Sequence, residues 1–343
     1  MRRQRLVLVG GAVFAASLAA TSLAGSFGPL LLAFVAFFPA SGAFVGLSQA
    51  ALMDAGPDRR QQRMAAWNLA GSVGAVSGPV LLAAIYAAGG GWRSGYLLLA
   101  IAALAALGAA VVVGPAQVAH PAPVQHTADA ELTAGHDGAP RAAAGLRHSA
   151  AQAVAALRDR ETARWLVLLQ VSDLLLDVLT GFVGVYLVEV AHASPAQAAI
   201  GVAIRLGAGL AGDALFAIIA GRVSGLVALR ASAIAAAILY PAFLIVPGLV
   251  AKLAILAALS VATACWYPVA QAGLYNSVPG GSGVAVFLSS AAGLAGAAGP
   301  LAVGFLAQRF GLPTALAVLA VTPVAIAGLT LRRRKSVSLP DDL

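Results

Sequence analysis

Ten times along this chain, a run of about 20 residues passes with almost no charge, and a bilayer core about 30 Å thick asks for that length in helical form. The stretches are Leu6–Leu23, Phe27–Met53, Met64–Ala88, Tyr96–Val113, Trp165–Val190, Ala198–Gly221, Val227–Val246, Leu249–Tyr275, Val284–Ala307 and Thr314–Leu331. Inside lipid every backbone N–H and C=O must find its partner within the protein, so apolar runs of this length fold as helices. Composition agrees, with 60% hydrophobic and 10% charged residues, where a soluble domain carries about a quarter charged. The expected fold is an all-α integral membrane protein with ten transmembrane helices. The opening "MRRQRLVLVGGAVFAASLAATSLAGS" also has the outline of a cleavable secretory signal. Sustained apolar sequence up to Val113 favours a first membrane helix instead.

Lysine and arginine prefer cytoplasmic loops. With the N-terminus placed inside, 17 of the 21 basic residues fall on the cytoplasmic side, Arg93, Lys252 and Arg309 fall outside, and Arg205 lies within a helix. The formal charge of +8 is therefore topological, and nucleic-acid binding, which needs a gathered basic surface, loses its motive. Both termini are expected in the cytoplasm of a multi-pass plasma-membrane protein. Residues 115–164 form a linker, partly disordered by composition, between an N-terminal bundle of four helices (1–114) and a C-terminal bundle of six (165–335). A cytoplasmic tail (336–343) follows. His120, His126, His136 and His148 in the linker match no compact metal spacing, and lone Cys265 has no thiol partner, so no metal and no cofactor are expected.

Two segments recur. "SQAALMDAGP" (Ser48–Pro57) matches "AQAGLYNSVP" (Ala270–Pro279), with Gln, Ala, Leu and Pro kept at an offset of 222 and Asp54 answered by Asn276. "SVGAVSGP" (Ser72–Pro79) matches "GLAGAAGP" (Gly293–Pro300) at an offset of 221. Two matches in one order imply related halves, as in transporters built from parallel repeats. The first four helices then match the last four, and the opening stretch takes the place of the third helix in a twelve-helix plan.

These features resemble the major facilitator superfamily over nearly the whole chain outside the linker. "GAVSGP" resembles the glycine-rich antiporter motif of drug-exporting members, with Gly74, Gly78 and Pro79 matching its core. Ala65, Leu82 and Ala83 depart from its outer positions. Gly209 and Asp213 keep the spacing of a second family signature without its basic residue. The resemblance implies a two-fold repeat of helix bundles, here 4 + 6, that lacks the first two helices of the plan. It further implies alternating access, a small-molecule substrate, H+ as coupling ion and efflux by antiport.

Ionisable groups within membrane segments are functional candidates by default. Asp173 and Asp177, four residues apart, share a helix face, and depths of roughly 18 and 24 Å from the cytoplasmic side put Asp177 and Arg205 of the next helix near enough to pair. Asp177, with Asp173 second, is the expected proton site, and Arg205 either neutralises it or contacts an anionic substrate. A buried pair that only fixes two helices is the competing reading, and Asp213 is a further candidate. Trp266, Tyr267 and Gln271 can line a cavity for an amphipathic substrate or pack in a core. Gly74, Gly78, Gly299 and the prolines Pro79 and Pro300 serve close packing and bending. An intramembrane enzyme would need clustered carboxylates or histidines that the chain does not offer, and no "GxxxxGK" nucleotide loop occurs. A non-transporting relative is the remaining alternative.

Overall fold

The computed structural model describes residues 2–117, 154–278 and 282–331. The four linker histidines lie outside them. Among the described residues, ten helices are long and apolar enough to cross a membrane: α1 Gln4–Leu23, α2 Phe27–Asp54, α3 Pro57–Ala87, α4 Trp92–Val112, α5 Arg160–Glu189, α6 Pro195–Ile219, α7 Gly225–Ile245, α8 Leu249–Ser277, α9 Ser282–Phe310 and α10 Leu312–Leu331. The ten expected spans are all present, and the described residues contain no strand.

Local chemistry sets the ends. Gly89, Gly248 and Gly311 adopt positive φ at the turns after α3, before α8 and between α9 and α10, a backbone region that glycine enters without a Cβ penalty. Ser194 and Gln197 form a capping box at the start of α6, with Pro195 as its first residue. Ahead of α5, Asp159 accepts from the Thr162 backbone N–H and hydroxyl, both at 2.9 Å. Those bonds hold its carboxyl below the usual carboxylate range, the backbone bond contributing most.

Cations donate to carbonyls at several helix C-termini, where unpaired carbonyls favour positive charge, among them Arg60 and Arg63 at the end of α2 and Arg164 and Arg230 at the end of α10. Arg93 donates to the Ala24 carbonyl at 2.7 Å. Lys252, only 7% exposed, donates to the last-turn carbonyls Phe243 and Leu244 of α7 and to the Tyr186 hydroxyl at 2.8–3.0 Å. The faces of Tyr186 and Phe243 flank its ammonium.

Of the two expected proline effects, one is visible in the helix course. α3 runs through Pro79 unbroken, whereas α9 is interrupted at Ala297, three residues before Pro300. Proline removes an N–H and crowds the preceding turn, yet the helix continues through Pro79 without a break.

The chain divides into two compact units, Met1–Ala163 with Ala272–Ala292, and Arg164–Gln271 with Gly293–Leu343. In the first, Ala15, Leu18, Ala100 and Ala103 make a core with Phe14, Phe37 and Tyr96 around them. Gly10 permits the close approach of α1 to α2, since a Cβ there would lie 2.7 Å from that of Ala43. In the second, Leu175, Tyr240, Phe243, Leu256 and Leu316 are fully buried, and the Tyr240 hydroxyl donates to the Leu316 carbonyl at 2.7 Å.

Candidate transport site

In the second unit, α5 presents Asp173 and Asp177 one turn apart near its middle, with Asp177 and Thr180 exposed on the protein's own surface and Asp173 half-buried. Neither aspartate makes a hydrogen bond or ion pair among the described residues. Arg205, on antiparallel α6, lies just beneath that strip and is 8% exposed. Its guanidinium donates from Nη2 to the Thr180 hydroxyl at 2.8 Å and the Leu176 carbonyl at 3.0 Å. Its Nη1 donates to the Ser260 hydroxyl of α8 at 3.3 Å. Nε is buried without an acceptor. Asp177 is an electrostatic neighbour of Arg205, yet not within ion-pair distance. The expected direct pair is thus replaced by a cation wrapped in neutral oxygens, with a carboxylate nearby.

Thr180 was within reach of the sequence, three residues after Asp177 on the same helical face. Ser260 comes from a third helix, and the Leu176 carbonyl is backbone; no sequence spacing marks either. Asp213, two turns along α6 from Arg205, is buried and engaged within the protein. Trp266 is fully buried, with its indole N–H donating to the Ser232 hydroxyl at 2.8 Å. Gln271 is buried as well, while Tyr267 is half-buried. Of the residues weighed as cavity lining, Trp266 and Gln271 occupy packed positions.

The first unit holds a second polar constellation, where α2 gives way to α3 and α8 to α9. Ser282 donates to the Asp54 carboxylate. Arg60 donates from Nη1 to the Asn276 side chain at 3.0 Å and the Tyr275 carbonyl at 2.9 Å. The Tyr275 hydroxyl donates to Gln49 at 3.2 Å, and the buried Thr162 hydroxyl shares its one proton between Asp159 and the Ser277 carbonyl, 3.0 Å away. Applying the repeat offset of 222 to Asp54 gives Asn276, and applying it to Arg60 gives Ser282. The two side-chain bonds are therefore counterparts: in each, the position-54 residue of one copy meets the position-60 residue of the other.

A family model described as Major Facilitator Superfamily matches residues 1–281 of the chain. The chain belongs to that superfamily. Solved members share its fold. The E. coli fucose:proton symporter FucP superposes with a TM-score of 0.67 at 15% identity, covering 96% of this chain and 83% of that one. The human organic anion transporter MFSD10 (TETRAN) superposes with a TM-score of 0.71 at 21% identity, covering 96% and 77%. No protein of curated function matches the sequence. Membership makes this a multi-pass transporter-family protein, for which transport of a small molecule across a bilayer is the expected activity.

Proposed function

We propose that this superfamily member is a secondary active transporter of the plasma membrane, with both termini cytoplasmic, that exports small organic molecules in exchange for protons. The observation that carries this reading is the pair Asp173 and Asp177, mid-span and without a hydrogen bond or ion pair among the described residues, beside the buried cation Arg205. A carboxylate held near a desolvated guanidinium changes the local charge by one unit when it takes up a proton. That change is what couples proton binding to the balance between two conformations. Asp177 is the primary proton site and Asp173 the second. Asp213, already engaged and buried, is the weaker candidate. Tyr267 remains the cavity-lining candidate.

Alternating access needs contacts that form in one state and break in another. The reciprocal bonds Asp54 to Ser282 and Arg60 to Asn276 fit that task, because they join the two copies of one repeated segment at the cytoplasmic ends of their helices. They are few, polar and partly exposed, so opening them costs little. The antiporter-like Gly74, Gly78 and Pro79 support the export direction. FucP is a proton symporter by its description, and its likeness to this chain lies in the fold.

The test is proton movement in vesicles carrying the reconstituted protein and an internal pH dye, challenged with a panel of organic acids, bases and neutral compounds. The expected result is substrate-dependent proton flux that Asp177→Asn abolishes and Asp173→Asn reduces, with both variants folded by thermal unfolding. Undiminished flux in Asp177→Asn would remove Asp177 as the proton site.

A further inference from the structure

We infer that the substrate is an organic anion whose carboxylate is held by Arg205. The inference rests on the transport reading above and names the substrate class for the same site.

A guanidinium carries five N–H donors and a charge that no pH within reach removes. Around Arg205 the three acceptors are all neutral: two hydroxyls and one carbonyl. The Nε–H has no acceptor among the described residues although it is buried. Burying a cation among neutral groups is costly, and an unmet charged donor adds to that cost. Helix stapling alone does not call for a cation, since a neutral side chain can bridge α5, α6 and α8 through the same hydroxyls. A carboxylate ligand answers both deficits at once, by matching the planar fork with two parallel bonds and by neutralising the charge.

The approach is open. Thr180, bonded to the guanidinium, is exposed, and so is Asp177 beside it. One turn beyond Asp177, Gly181 has nothing within 4 Å of where its Cβ would stand. Arg205 is therefore the buried floor of an exposed strip, and the two hydroxyls that accept from it donate in turn to the carbonyls of Leu176 at 2.6 Å and Leu256 at 2.7 Å, which leaves the guanidinium as the donor toward a ligand oxygen. The neighbouring Asp177 carboxylate, being of like charge to the ligand, sets a price on binding that its neutralisation removes.

The experiment measures ligand protection of the full chain in detergent, with no ion gradient, by thermal unfolding. The probes are hexanoate and benzoate, set against hexylamine and benzylamine of matching shape. Dose-dependent stabilisation by the carboxylates alone is the expected result. Asp177→Asn is expected to tighten it, and Arg205→Lys to weaken it by about tenfold or more, the worth of one charge-assisted bond. Gly181→Leu meets nothing at its Cβ and is expected to fold, as thermal unfolding without ligand checks, and to lose protection by covering the strip, which keeps the test decisive if Arg205 variants do not fold. Equal effects of amines and carboxylates, or carboxylate protection that survives both Arg205→Lys and Gly181→Leu, would overturn the inference. Because binding is read without proton flux, a proton site at Asp177 can stand while the anion assignment fails, and the reverse holds as well.

Discussion

Two segments of this chain occur twice, and their copies behave in opposite ways. The copies around Asp54 and Asn276 meet each other through counterpart bonds. The copies around Gly78 and Gly299 both lie in membrane-length helices ahead of a proline, but their surroundings differ. A Cβ on Gly299 would stand 2.5 Å from a methyl of Leu174 on α5, and one on Gly296 equally close to the Gln170 side chain. At Gly74 and Gly78 an added Cβ meets nothing within 4 Å. Helix α9 uses its glycines to approach a neighbour, whereas no described residue fills that place against α3. A repeated motif thus records shared ancestry of backbone, while its energetic meaning depends on what each copy faces.

The largest effect that would sharpen this contrast is at Gly299. Replacement by leucine forces a branched side chain into the space of Leu174 and is expected to cost about 1–3 kcal/mol, the range for overpacking, read as a lowered unfolding midpoint in detergent. Gly299→Ala is expected to be mild, because the tip of Leu174 can turn aside. Next is Arg60→Ala, which removes donors to Tyr275, Asn276 and Met53 and is expected to cost about 1 kcal/mol. It should also raise the labelling rate of a cysteine placed at the neighbouring Ser277, which leaves both counterpart bonds in place, and an unchanged rate would break the idea that those bonds restrain this end. Smallest is Gly78→Leu, expected to be neutral or to stabilise by up to about 1 kcal/mol through helix propensity. A loss at Gly78 as large as that at Gly299 would mean that the two copies face equivalent neighbours after all.

Much of this was legible in the sequence. Ten spans follow from apolar length, and the helix ends from glycine, serine and proline at the turns. The repeat predicted related segments, though not that one pair would bond across the copies, since hydropathy carries no information on tertiary neighbours. At the candidate site Asp173, Asp177 and Arg205 stood out because charge within apolar sequence is rare. Their arrangement did not follow from depth alone. Depth along two helices says which residues share a level, while rotation about each axis decides that Arg205 reaches Thr180 and Leu176 instead of Asp177. Trp266 was equally open to core and cavity, and Ser232, 34 residues away, supplied the hydrogen bond that permits its full burial.

The capped ammonium of Lys252 has a practical consequence for surface chemistry. The chain contains two lysines, Lys252 and Lys335. Lys252 is buried, with its amine held against two carbonyls and a phenol and flanked by two aromatic rings, so an acylating reagent cannot reach it while the fold is intact. Among lysines, a membrane-impermeant succinimidyl ester is then expected to modify Lys335 alone. Recovery of the acylated Lys335 peptide only from inverted vesicles would put the C-terminal tail on the cytoplasmic face, and recovery from right-side-out vesicles would put it outside.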